Sequence, residues 1–208
     1  MIIRPRFAGL LLSTLLSYSA IATAAQPMSR AIAPLRGTID QVSDSNLQLT
    51  DRQGEKIPVL LNQQTKIMSV TKGALDDIKP DSFIGTAAIP QPDGSLKALE
   101  VHVFAASLRG TGEGHSAWES ADGKINTMTN GTVGKLVKSN GRMLTVLYGH
   151  QQKIVNVPED VPIVMINPGD RGLLKPGVHI ILFSATDDKG QRVASRISAG
   201  KDGTVPPM

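Results

Sequence analysis

The second half of the chain repeats the first at a nearly constant offset of 96 residues. Gly73, Lys79, Pro80, Ile84, Gly94 and Ala98 recur as Gly169, Lys175, Pro176, Ile180, Gly190 and Ala194, and Gly37-Thr38 returns slightly earlier as Gly131-Thr132. Two copies of one small β module account for most of the chain. A repeat says more about folding than about activity, because function resides in sites grafted onto folds.

Each copy opens on Gly-Thr-Ile or Gly-Thr-Val and continues in short alternating segments. Leu47 and Leu49 flank Gln48, while Ile57, Val59 and Leu61 share one face. Leu99, Val101 and Val103 alternate with Glu100 and His102. A period of two predicts half-buried antiparallel strands, with His102 turned outward. Asp44-Ser45-Asn46, Asp51-Arg52-Gln53-Gly54 and Pro92-Asp93-Gly94 predict turns, as do Ser139-Asn140-Gly141, Tyr148-Gly149-His150 and Asp187-Asp188-Lys189-Gly190 in the second copy. Each copy also carries one helix-like turn; in the first, Leu75 and Ile78 share a side and Pro80 ends it. Five short strands with one helical turn after the third is the layout of an OB-type barrel. The expected fold class is all-β: two tandem OB-like five-stranded β-barrels, residues 35–104 and 130–200, each with one short helical turn. Residues 105–129 hold Gly110, Gly112, Gly114, Gly123 and the single tryptophan, Trp118. They predict an irregular Gly-rich connector, and residues 201–208 a flexible tail.

The first 25 residues read as a signal peptide. Arg4 and Arg6 precede an apolar stretch around Leu10 to Leu16, and Ala22-Thr23-Ala24-Ala25 supplies small residues for cleavage. The expectation is export to the periplasm, with a soluble chain after cleavage, an N-terminal arm at 26–34 and no stable membrane insertion. The chain has no cysteine, which excludes disulfides, thiolate metal sites and covalent haem attachment. Stability must then come from apolar packing. Without Arg4 and Arg6 the net charge falls from +4 to +2, too little to draw the protein to polyanions.

The opening Arg36-Gly37-Thr38-Ile39, the segment Leu75-Asp76-Asp77-Ile78-Lys79-Pro80, the connector Arg109-Gly110-Thr111-Gly112-Glu113-Gly114-His115 with Trp118, and Thr127-Met128-Thr129-Asn130-Gly131-Thr132-Val133 carry a resemblance. With them the chain resembles a family of exported proteobacterial proteins built from OB-like domains. The resemblance implies fold and export, and no particular activity. Such proteins are sometimes named metal ABC transporter permeases; this sequence has no multi-span hydrophobic pattern to match that name.

Candidate chemistry is sparse. The only imidazoles are His102, His115, His150 and His179. None forms a close pair of the kind that betrays a metal site, and His179 aligns with Phe83, which predicts a packing position. Glu113-Gly114-His115, with His102, is the metal-ligand set of an alternative reading as a periplasmic metal-binding accessory protein, the glycines letting both side chains bend toward one point. Single-stranded nucleic acid needs a basic groove with aromatic platforms, and Phe83, Phe104, Trp118, Tyr148 and Phe183 are the only aromatics after the leader. No Gly-x-Ser-x-Gly elbow or phosphate loop is present. The expectation is a non-enzymatic binding or scaffolding module of the cell envelope without a cofactor, its partner an envelope protein, a glycan or a small ligand. Its site is expected on the connector: Trp118 as apolar anchor, His115 and Glu113 as polar contacts, Arg109 as charge partner.

Overall fold

The computed structural model of the protein describes residues 34–120, 122–136 and 142–207. The expected leader, all but the last residue of the arm, and the turn at Ser139-Asn140-Gly141 lie outside them. Fourteen strands are described: β1 (Leu35–Val42), β2 (Asn46–Asp51), β3 (Lys56–Leu60), β4 (Lys66–Lys72), β5 (Phe83–Pro90), β6 (Leu96–Ala98), β7 (Val101–Phe104), β8 (Gly114–Glu119), β9 (Ile125–Leu136), β10 (Met143–Tyr148), β11 (Gln151–Asn156), β12 (Ile163–Pro168), β13 (His179–Thr186) and β14 (Arg192–Gly200). Single 3-10 turns at Leu75–Asp77, Ala106–Leu108 and Arg171–Leu173 are the helical elements among the described residues, and none is long enough to cross a membrane.

A closed barrel of five strands runs β1, β2, β3, β14, β13 and back to β1. Alternation builds it as expected: Ile39, Leu47, Leu49, Val59, Ile180, Leu182 and Ile197 point inward into one apolar cluster. Fully burying each such side chain is worth about 1.5–3 kcal/mol. The barrel draws β1 to β3 from the first copy and β13 and β14 from the second. The reciprocal pairings return to their start as well, from β9 to β10, β11, β6, β5 and back to β9. Ile84, Leu96, Val133, Leu144, Val146 and Val155 form the cluster between these strands. The two copies are thus interleaved, rather than placed one after the other along the chain.

The exchange passes through two strands that the alternation pattern did not reveal. β4 and β12 precede the 3-10 turns of their copies and pair antiparallel, with Val70 opposite Ile166, Met68 opposite Pro168 and Lys72 opposite Val164. Val70 and Ile166 are each other's equivalents at the offset of 96, so the register defines a pseudo-two-fold axis between the copies. β14 lies parallel to β4, and β7 lies parallel to β12. The order β14-β4-β12-β7 makes a continuous stretch of sheet at the seam.

Two expected loose segments are ordered. The connector holds β8, which pairs along β9 from Gly114 opposite Asn130 to Glu119 opposite Ile125. Its glycines serve turns rather than disorder: Gly110, Gly112 and Gly123 have φ of 83°, 61° and 78°. The tail is held where the Lys201 N–H donates to the Val70 carbonyl at 2.8 Å, and the Thr204 side chain is buried.

Candidate functional site: a cavity at the seam

One face of the seam sheet carries Arg196 and Ser198 on β14, Met68 on β4, Ile166 on β12, and His102 and Phe104 on β7. Their levels follow from register, Ser198 lying opposite Met68 and Ile166 opposite Phe104. The β8–β9 hairpin lies over this face. Trp118 and Met128 join Met68, Val70, Val164, Ile166 and Ile181 in a third apolar cluster, with Phe104 and Phe183 packed against it. Packing is incomplete, and a cavity of about 220 Å³ remains between hairpin and sheet, reached also by Ser116 and Asn130.

The cavity walls are apolar and aromatic. Trp118 and Phe183 tilt against each other at 6.0 Å, and Phe104 meets Phe83 at 5.5 Å. Against them stands one cation. The Arg196 guanidinium lies 3.9 Å above the Phe183 ring, and burial holds its pKa below the ordinary arginine range. Arginine still carries its charge at neutral pH. Arg36 grips the hairpin from β1, donating to the Glu119 carbonyl at 2.6 Å while its guanidinium sits 6.0 Å from the Trp118 ring. Its pKa is lowered chiefly by burial and then by Arg52, against the opposing pull of Glu100 and Glu119.

Several polar atoms here are buried without a well-formed hydrogen bond to the protein: Trp118 Nε1, Asn130 Oδ1, His102 Nε2 and both Glu100 carboxylate oxygens. His102 Nε2 lies 2.9 Å from Glu100 Oε1, close enough for an ion pair when the imidazole is protonated, yet the angle is poor for a hydrogen bond. His102 was expected to face outward. It is 1 % exposed because β7 lies between β12 and β5 and both of its faces are covered. Gly85 makes room beside it; a Cβ there would meet Asn130 Oδ1 at 2.4 Å and His102 Nδ1 at 3.2 Å.

The residues expected to share a site on the connector are dispersed. Arg109 donates to Thr132 Oγ1 at 3.0 Å and to the Asp81 carbonyl, and lies 3.4 Å from the exposed Asp81 carboxylate. Glu113 Oε1 accepts the Gly149 N–H at 2.9 Å. His115 Nδ1 is 2.8 Å from Thr129 Oγ1, and its ring stacks on Tyr148 at 6.0 Å. Burial, then the Lys153 charge, holds the imidazole below its ordinary 6.5. Glu113 and His115 thus reach the same hairpin end, Tyr148-Gly149, where they fasten the connector. Trp118 alone of the four enters the cavity, because residues 115 and 118 project to opposite faces of a strand. Among the described residues no three His, Asp or Glu side chains gather as a metal site, and His102 is buried whereas His115 is exposed. His179, expected to pack, is exposed and 3.0 Å from Thr38 Oγ1.

Arg196 escaped the sequence reading. Its equivalent at the offset of 96 is Glu100. A charge at the equivalent position of both copies, Glu100 and Arg196, was the available signal. Comparisons with protein-family models, with curated proteins and with solved structures give no match. What stands is an all-β chain with a closed five-strand barrel and an aromatic-walled cavity at its seam.

Proposed function

We propose that the protein is an exported, non-enzymatic binding module of the cell envelope, two OB-like barrels exchanging strands, with its ligand in the seam cavity. One observation carries this reading: the cavity combines aromatic walls with a stacked cation and buried polar atoms that lack protein partners. Apolar concavities with a few convergent polar groups are the usual form of small-ligand sites. The cavity is smaller than the ~300–1,000 Å³ typical of sites for drug-sized molecules, which favours a small ligand. The basic and apolar leader supports export.

The test is native mass spectrometry of the protein recovered from envelope fractions, together with thermal melting against a panel of small molecules. Binding at 100 times Kd adds about 2.7 kcal/mol to stability. The expected result is a small-molecule adduct, or melting shifts that vanish in the cavity-filling variant Ser198→Leu. Adduct-free protein with no shift across the panel would overturn the reading, and recovery only from cytoplasmic fractions would overturn export.

A further inference from the structure

We infer that the ligand of the seam cavity is a small planar anion, a ring bearing a carboxylate, gripped by Arg196; this rests on the proposal that the cavity binds a ligand at all. Arg196 is the cation lining the cavity, and no carboxylate lies within ion-pair distance of it among the described residues. One face of its guanidinium is taken by Phe183. That contact holds the guanidinium carbon over the ring and leaves N–H donors for a ligand, since guanidinium donors lie in the plane of the group.

Among the described residues the Arg196 N–H groups have no acceptor on the protein and are not among the buried unpartnered atoms, so they remain open to a ligand that displaces water. A carboxylate engages them with two parallel hydrogen bonds, the geometry an arginine fork matches best. Ser198, two residues along β14 on the same face, and Ser116 on the hairpin add neutral hydroxyls that can donate to the same anion. The walls dictate the rest of the molecule. Trp118 and Phe183 form an aromatic corner, where a flat ring gains edge or offset contacts that a bulky aliphatic group would not.

The pseudo-two-fold sharpens the argument. The position equivalent to Arg196 is Glu100, which is buried beside His102 and does not line this cavity. The acid therefore leaves the cavity with a net positive wall.

The experiment uses benzoate, benzyl alcohol and benzylamine on the unsubstituted protein, read through the emission of Trp118, its only tryptophan, and by calorimetry. Benzoate is expected to bind about tenfold or more tightly than benzyl alcohol, as hydrogen bonds to a charged group allow. Arg196→Gln is expected to remove that preference, benzoate falling to the level of benzyl alcohol on the same variant. Arg196→Lys serves as the second variant if the glutamine form does not fold, with an intermediate preference expected because the forked donor geometry is lost. Equal binding of benzoate and benzyl alcohol, or preference for benzylamine, would overturn the anion assignment and leave the cavity as a ligand site. No response of Trp118 to any of the three would count against both.

Discussion

Gly37 and Gly131 occupy equivalent places in the two copies for one steric reason. A Cβ on Gly37 would lie 2.3 Å from the Thr50 carbonyl oxygen, and one on Gly131 2.2 Å from that of Leu147. In each case the obstacle is the backbone of the hairpin partner, which cannot yield without distorting the ladder. Gly37→Ala and Gly131→Ala should each lower stability by roughly 1–3 kcal/mol, the range for overpacked sites, measured from urea midpoints at constant slope. Gly134→Ala is the contrast: its nearest neighbour is the movable end of Leu147 at 3.0 Å, so the cost should be small. His115 makes a pH prediction. Its folded pKa lies below 6.5, for burial first and Lys153 second, so the unfolded chain binds the proton more readily. The contribution is present above pH 6.5 and lost as pH falls through the folded pKa. Melting temperature should drop over that window, and the drop should shrink in His115→Gln; solvent exposure of the ring keeps the effect modest. At this scale the repeated glycines were legible from sequence, and Trp118 stood out there as the one large aromatic of the connector. Arg196 was not, because a charge next to Ser195 reads as solvent-facing until its face of the sheet is known.

The β8–β9 hairpin is the element that turns a sheet surface into a cavity. β9 is paired along its length with β8, β5 and β10, whereas among the described residues β8 pairs with β9 alone and forms an open edge of the sheet. Edge amides that lack a second neighbour open more easily. Hydrogen exchange followed by mass spectrometry should show β8 exchanging before β9, and a ligand in the cavity should slow both. Equal protection in the free protein would contradict this order. The hairpin was hidden by its glycines, which look like a spacer but sit at turns. β4 was hidden for the opposite reason. Met68, Ser69 and Val70 are consecutive buried residues, and a strand covered on both faces loses the alternation that marks a half-buried one.

Interleaving governs the whole molecule. The barrel closes only with strands from both ends, so neither copy is a complete unit. Calorimetry should give one transition whose calorimetric and van't Hoff enthalpies agree, as for a single cooperative unit; two separable transitions would argue for independent halves. A protease site placed in the turn between Ser120 and Lys124 should leave, after cutting, two fragments that still migrate as one particle without denaturant and separate in urea. The repeat, the β class and the barrel were readable from sequence. The exchange was not: equivalent strands of the two copies carry similar apolar patterns, so the partner from its own copy and the partner from the other satisfy nearly the same register.

The same arrangement sets the order in which the chain can finish folding. Thr38 on β1 meets His179 on β13 across 141 residues of sequence. Until β13 and β14 arrive, β1 and β3 are paired on one side with β2 and open on the other, and contacts of such long range are slow to form. For a chain that emerges from its N-terminus, three strands of the barrel appear first and the barrel closes last, so its completion is deferred until nearly all of the chain is available.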